Sequence, residues 1–212
     1  LANTLKRISY YGAREFYEGQ TSQNIIKCMN RTGGIINSID LKNYKPVERK
    51  PITFEYKDYK IYTMPPPSSG GVALAQILKQ LENIDLSKIS YHSADHIHYL
   101  SEIEKRVYAD RSHYMGDPDF NTIPIENLIS NNYAIDRWKT IDLNKATPSL
   151  DITYGNIYSS INNESMETTH FSVIDKWGNA VSVTTTLNRR YGNGIVVDDS
   201  GFLLNNQMDD FS

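Results

Sequence analysis

Cys28 is the only cysteine in 212 residues, which excludes an internal disulfide framework and leaves the redox compartment undecided. No apolar run approaches the roughly 18 residues of a candidate membrane span. An excess of one charge is missing too. The net charge is -3, the pI lies near 6.0 and the basic residues are scattered, so nothing marks a nucleic-acid partner. The chain opens "LANTLKRISYYG" with neither a methionine nor a signal peptide; it reads as an excised or processed segment whose targeting is not written in it. What is present belongs to a folded chain. With 39% hydrophobic and 22% charged residues it falls outside the disordered class, and its length suits one domain or part of a larger layered protein. Fifteen tyrosines and many asparagines read as compositional bias of the source rather than a stacking surface.

Helical spacing of Leu5 and Ile8, and of Ile25, Ile26 and Met29, predicts short helices over 3–11 and 21–31. "TGG" at Thr32–Gly34 should end the second, because glycine enters the left-handed cap region freely. "SIDLKNY" reads as one more helical turn capped by Ser38, and "ITFEYKDYKIYTM" as a strand pair turning at Lys57–Asp58. "PPPSSGG" (Pro65 to Gly71) is a turn leading into the helix "VALAQILKQLE". A longer helix is expected from about Ser93 to Tyr114, with Ile97, Leu100, Ile103, Val107 and Tyr108 on its apolar side, stopped by "GDPDF". From Asn144 to Glu167 the text is polar and aperiodic, the composition of a linker.

After that linker comes "SMETTHFSVIDKWGNAVSVTTTLNRR" (Ser165 to Arg190), with hydroxyls at both ends of one hairpin. Phe171, Val173, Val181 and Val183 alternate around "DKWGN". If the loop is symmetric about Trp177, residue i pairs with 354 − i. Phe171 then meets Val183 and Val173 meets Val181 on a core face. Thr168, His170 and Ser172 share the other face with Thr186, Thr184 and Ser182, and Thr168 stands across from Thr186, within hydroxyl–hydroxyl reach. A slip of one residue would separate them. Threonine is also a good strand former, and solvated strand faces account for the same residues.

Several strings together resemble the γ-glutamyltranspeptidase family in its bacterial form: "METTHFSVIDKWGNAVSVTTTLN", "GFLLNNQMDDFS", "YTMPPPSSGGVALAQILKQLE", "YADRSHYMGDPDF" and "FYEGQTSQNIIKCMNRTGGIINSIDLKNYKPVERKPI". They run in collinear order over nearly the whole chain. The resemblance implies an α+β fold, the N-terminal-nucleophile hydrolase αββα sandwich, of which this chain is part. It implies that residues 1–167 end a large subunit, with the polar linker at about 144–167, and that 168–212 begin a small one, both from one precursor.

It further implies that Thr168 is the nucleophile, first in self-cleavage of the Glu167–Thr168 bond and then in catalysis, with its own freed α-amine as base. Thr186 matches the threonine that orients and activates the nucleophile. Asn188, two residues on and on the same face if the strand continues, and Gln207 and Asp210 match the contacts to the donor's α-amino group. The implied substrates are glutathione and other γ-glutamyl compounds, with water, amino acids or peptides as acceptors, no metal or organic cofactor, and a periplasmic or secreted location. The family's arginine for the donor carboxylate lies upstream of Leu1, and its carboxylate-binding serines and oxyanion glycines lie beyond Ser212. "SSGG" at Ser68–Gly71 matches a different string and reads as a structural turn. Relatives with the same cut but another donor are a cephalosporin acylase or a poly-γ-glutamate depolymerase; a homologue that never cleaves, acting as a binding or structural protein, is the alternative outside the enzymes.

Other residues invite chemistry and have plainer readings. His92, His96 and His98, with Asp95 and Glu102, suggest a metal cluster but lack the HExxH pattern, and the histidines read as ordinary helix-surface residues. His170 reads as a supporting hydrogen bonder. Asp117 and Asp119 beside glycine and proline read as turn formers. The sequons Asn30–Arg31–Thr32 and Asn163–Glu164–Ser165 read as chance.

Overall fold

The computed structural model describes residues 1–157 and 169–210. Helices α1 (Ala2–Tyr11), α2 (Ala13–Glu18), α3 (Gln20–Thr32) and α4 (Ser38–Asn43) come first, followed by strands β1 (Ile52–Tyr56) and β2 (Tyr59–Thr63). Then come α5 (Gly70–Leu81), α6 (Ala94–Tyr114), α7 (Ile125–Leu128) and α8 (Asn131–Trp138), strands β3 (Thr169–Ile174) and β4 (Ala180–Thr185), and a 3-10 turn at Gln207–Asp210. The long helix falls where it was expected, with Ser93 accepting from the His96 N–H at 3.2 Å as its cap. Gly33, at φ 76°, ends α3. The α4 cap is Asn37 rather than Ser38. The Asn37 side chain accepts from Ile39 and Asp40, and the Asp40 carboxylate accepts the Asn37 N–H at 2.8 Å, a reciprocal box that makes Ser38 the first helical residue.

Two compact units divide the chain, one of residues 1–48 with 169–210, the other of 49–157 among the described residues. In the second unit the expected strand pair forms, with Phe54 opposite Ile61 and a two-residue turn at Lys57–Asp58. Ile52 and Phe54 pack with Val72 and Ala75 of α5 and with Tyr114, Met115 and Leu128. The α5 residues Ala73, Ile77 and Leu81 pack against Ile103 and Val107 of α6. Ile97 and Tyr108 of α6, expected on its apolar side, are exposed.

The buried face of α6 carries charge instead. Glu102, Arg106 and Asp110, one helical turn apart, are each no more than 3% exposed. Glu102 accepts from Arg106 at 2.8 Å, Lys105 at 2.7 Å and the Thr147 N–H at 3.0 Å. Burial alone would raise the Glu102 carboxyl. The hydrogen bonds from Lys105, Thr147 and Arg106 overcome that and hold it at about 2. Asp110 accepts from Gln76 at 3.1 Å and the Gly155 N–H at 2.8 Å and pairs with Arg137 at 3.0 Å. Burial dominates there and pushes its carboxyl up, against the lowering effects of Arg137 and Gly155.

These side chains account for the first half of the polar linker. Arg137 donates to the Thr153 carbonyl at 3.0 Å, Tyr114 bonds Ile157, and His113 stacks on Tyr154 with ring centroids 3.4 Å apart. Residues 147–157 are therefore pinned to α6 and α8 by polar side chains, although their composition reads as loose linker. The rest of the linker lies outside the described residues.

In the first unit, Ile25, Cys28 and Met29 of α3 and Leu41 of α4 form a core with Val197, joined by Ile195, Phe202 and Leu204. Thr4 donates to the Ser200 carbonyl and Asn24 to the Ser200 hydroxyl, both at 2.9 Å. Residues 195–204 thus lie on α1 and α3. Gly192, at φ +57°, lets the backbone close on itself: a Cβ there would come within 1.9 Å of the Leu204 carbonyl oxygen.

Candidate active site

Hairpin β3–β4 has the register the sequence implies. Thr169 pairs with Thr185, Phe171 with Val183, Val173 with Val181 and Ile174 with Ala180, and each pair of numbers sums to 354. Its turn is held by Asp175, whose carboxylate accepts from the Trp177 and Asn179 N–H groups at 2.9 Å. The expected core face is open, however. Phe171 is 50% exposed and Val173 and Val181 are each 56% exposed. A two-stranded sheet buries a face only against a further layer, and no described element of this unit covers it.

The polar face is a hydroxyl and imidazole cluster. His170 Nδ1 lies 2.8 Å from the Thr184 hydroxyl, and Nε2 lies 3.2 Å from the Ser172 hydroxyl and 3.1 Å from that of Ser182. The Ser172 and Ser182 hydroxyls are themselves 3.3 Å apart. Both ring nitrogens are engaged by neighbours on the hairpin, which is the supporting role expected of His170. Glu167 and Thr168 lie outside the described residues.

Beyond Thr185 the strand does not continue, so Asn188 reaches its place by another route than the one expected. The Thr186 hydroxyl accepts the Asn188 N–H at 2.9 Å. That closes a tight turn with Asn188 at φ 71°, a left-handed conformation that asparagine tolerates better than most residues. Asn188 is 7% exposed, and its side-chain amide donates to the Asn206 carbonyl at 3.1 Å. The Asn206 N–H donates to the Leu187 carbonyl, and its side-chain oxygen accepts the Arg189 N–H, both at 3.0 Å. The fold therefore brings Thr186, Asn188 and the start of the Gln207–Asp210 turn together, about 20 residues apart in sequence. Gln207 begins that turn with its N–H on the Asn205 side chain at 2.9 Å. Asp210 ends it. Asn206 was not singled out from sequence; a doubled asparagine before "QMDD" is the only signal it leaves there.

The remaining candidates have structural partners. Asp119 pairs with Arg49 through two bonds of 3.0 and 2.8 Å, and Asp117 accepts the Asp119 N–H at 2.9 Å. Ser69 accepts from Arg111 Nε at 2.6 Å, and a Cβ at Gly71 would come within 2.0 Å of the Met64 carbonyl, so "SSGG" makes a close-packed turn. His92 stacks on Tyr91, and His98 bonds the Asp142 carbonyl at 2.8 Å. Among the described residues no group of three or more histidine, cysteine, aspartate or glutamate side chains is arranged to hold a metal. No helix among them is long and apolar enough to cross a membrane.

Comparison with known proteins fits this arrangement. The family model described as gamma-glutamyltranspeptidase matches residues 1–212. The glutathione hydrolase proenzyme of Escherichia coli (strain K12) is 50% identical over 212 residues, 100% of this chain and 36% of that protein. Among solved structures, the γ-glutamyltranspeptidase of Helicobacter pylori is 45% identical with a TM-score of 0.69, over 73% of this chain and 44% of that one. The cephalosporin acylase of Bacillus halodurans, at 24% identity and a TM-score of 0.80, aligns with 100% of this chain and 36% of its own, a likeness of fold. This chain thus spans little more than a third of the curated relative it matches. The fold class is the α+β N-terminal-nucleophile hydrolase sandwich of these relatives, of which the chain supplies a part. The chain belongs to the γ-glutamyltranspeptidase family.

Proposed function

We propose that this chain is the segment of an autoprocessing γ-glutamyltransferase and glutathione hydrolase in which the precursor cuts itself between Glu167 and Thr168. The observation that carries the reading is the hairpin register together with the Thr186–Asn188–Asn206 cluster at its end. Thr186 follows directly on the last pair of that register, where the resemblance assigns it the role of orienting a nucleophile at Thr168. The Thr186 hydroxyl accepts the Asn188 N–H, and a hydroxyl can accept and donate at once, as the orienting role the resemblance assigns it requires.

In maturation the Thr168 hydroxyl attacks the Glu167 carbonyl carbon. The C–N bond breaks, an ester to Thr168 forms and the α-amine gains the proton. Water then hydrolyses the ester, leaving the Glu167 carboxylate and a Thr168 with a free amine and hydroxyl. An unperturbed α-amine titrates at about 7.7–8.0, close to working pH, so an amine of this kind can serve as the base the weak hydroxyl needs. In turnover the amine takes the hydroxyl proton, Oγ attacks the γ-carbonyl of glutathione, and cysteinylglycine leaves carrying that proton on its amine. Water or an acceptor amine then releases the γ-glutamyl group from the ester. Asn188, Gln207 and Asp210 hold the donor's α-ammonium, to which a carboxylate is suited by a charge-assisted bond. Large and small subunits from one precursor and a periplasmic or secreted location belong to the same reading.

Intact-mass spectrometry of the full-length protein with N-terminal sequencing tests it. A fragment beginning "TTHFS", absent in Thr168→Ala, is expected, with γ-glutamyl-anilide turnover lost in the same variant. Cleavage persisting in Thr168→Ala would overturn the assignment. A folded, uncut wild-type chain would favour the non-catalytic alternative, and a cut chain that releases acyl groups only from cephalosporin side chains would favour an acylase.

A further inference from the structure

A residue outside the proposed donor contacts ties the segments that carry them together. Asn206 uses every polar group it has at the end of the hairpin. Its backbone N–H and carbonyl bind Leu187 and the Asn188 amide at 3.0 and 3.1 Å. Its side-chain oxygen accepts the Arg189 N–H at 3.0 Å, and its side-chain nitrogen donates to the Asp209 carboxylate at 2.8 Å. It therefore grips the residues on either side of Asn188 and the residue next to Asp210. Arg189 and Asp209 also approach each other at 3.6 Å, a largely exposed pair that adds little by itself.

One consequence concerns polarity. Because the Asn188 nitrogen donates to the Asn206 carbonyl, the amide is turned so that its oxygen is the end left to accept from a ligand. An acceptor there suits an ammonium group and would repel a carboxylate. We propose that Asn206 is a positioning residue: its side chain, by holding Arg189 and Asp209, fixes where its own carbonyl meets the Asn188 amide and how that amide is spaced from the Gln207–Asp210 turn, and so sets affinity for donors carrying a free α-ammonium. This inference rests on the donor-binding reading above. Asn206 need not touch substrate: it acts through Asn188 and the turn.

The test uses the full-length, self-cleaved protein and a γ-glutamyl anilide as donor. Asn206→Ala removes both side-chain bonds, each of the order that shifts an equilibrium by roughly five- to tenfold. Donor KM should therefore rise about tenfold, with a much smaller change in kcat. An N-acylated donor, which lacks the ammonium, should lose the discrimination that the wild type shows against it. Asn206→Asp places two carboxylates side by side and should behave like Asn206→Ala. The double variant Asn206→Asp with Asp209→Asn restores the bond with its direction reversed and keeps the acceptor for Arg189, so it should recover most of the donor affinity.

Asp210→Ala is the control for the underlying reading. If it leaves donor KM unmoved, the donor-binding assignment fails. If it raises donor KM while Asn206→Ala does not, the Asn206 inference alone fails. Loss of self-cleavage in Asn206→Ala, or an equal loss for the acylated donor, would make the residue a general brace and overturn the inference. Failure of the reversed pair to recover donor affinity would do the same, even if the single variants fold poorly.

Discussion

Replacing Glu102 by glutamine should expose how strongly the buried charges of α6 hold the second unit together. The carboxylate is 0% exposed and accepts on both oxygens, from Lys105 and Thr147 on one and Arg106 on the other. An amide has one acceptor oxygen, so whichever way it turns, its NH2 faces a donor. Folding lowers the carboxyl from 4.5 to about 2, a linkage worth about 3 kcal/mol at neutral pH. Leaving Arg106 buried beside a neutral partner points to the same range, about 3–5 kcal/mol. A group with a depressed folded pKa gives stability that is full above the unfolded value and lost as pH falls through the folded one. The Glu102 contribution should thus be complete above pH 4.5 and drain away by about pH 2. Asp110, with a raised pKa, works in the other sense, but it does so in parent and variant alike and cancels in their difference. Hydrogen exchange of the α6 amides in the full-length protein should be about a hundredfold faster in Glu102→Gln at neutral pH. The gap should close as pH falls through that window. Equal exchange at neutral pH, or a gap unaffected by acid, would refute the argument.

Three other perturbations follow from single contacts. Gly192→Ala would drive a methyl group to within 1.9 Å of the Leu204 carbonyl at a positive φ. A loss of roughly 2–4 kcal/mol is expected, readable as a lower urea midpoint for the first unit's tryptophan or tyrosine signals. Replacing both Glu102 and Arg106 by methionine removes the buried pair together and leaves unmade only the bonds to Glu102 from Lys105 and Thr147 and those of Arg106 to Thr140. That double variant should lose less stability than Glu102→Gln, which strands a buried guanidinium, and a defect as large as that of Glu102→Gln would count against the charge account. Ser200→Ala strips the acceptor from the buried Asn24 amide and should cost about 1–3 kcal/mol. Its readout is earlier separation of the two cleaved chains on size exclusion in rising urea.

The parts legible in the sequence were those where a local pattern and a turn agree. Phe171, Val173, Val181 and Val183 alternate about one short loop, so the register followed from symmetry. Ser93 before a periodic run gave the start of α6. The failures share a cause in longer-range partners. The local pattern extends Asn188 along a strand, because nothing near it in sequence shows that the Thr186 hydroxyl caps its N–H and turns the chain. Apolar spacing alone puts Ile97 and Tyr108 inside, whereas Glu102, Arg106 and Asp110 are buried by partners 30 to 45 residues away. For the same reason the text before Ile157 reads as linker: its anchors are side chains of α6 and α8, invisible in its own composition. The short helices α2, α7 and α8 carry too little periodicity to declare themselves.

The division into compact units bears on how a self-cutting precursor could keep its parts. The proposed cut at Glu167–Thr168 breaks the chain between residues 1–48 and 169–210, yet these two stretches form one unit. Ile25, Cys28, Met29 and Leu41 from before the cut share a core with Val197 from after it. The Thr4 and Asn24 bonds to Ser200 cross the same divide with both partners buried. A peptide bond removed between stretches already packed together leaves those contacts in place. On the proposed reading, the chain would gain an amine without giving up the contacts among Thr186, Asn188 and Asn206. The same packing makes the order of events directional. The hairpin end is tied to residues 203–210 through Asn206, and those residues are tied in turn to α3 through Ile195, Val197 and Phe202. Cleavage should then lag folding of this unit, and a variant that loosens Val197 or Ser200 should slow cutting in a fresh precursor more than it slows turnover in protein already cut.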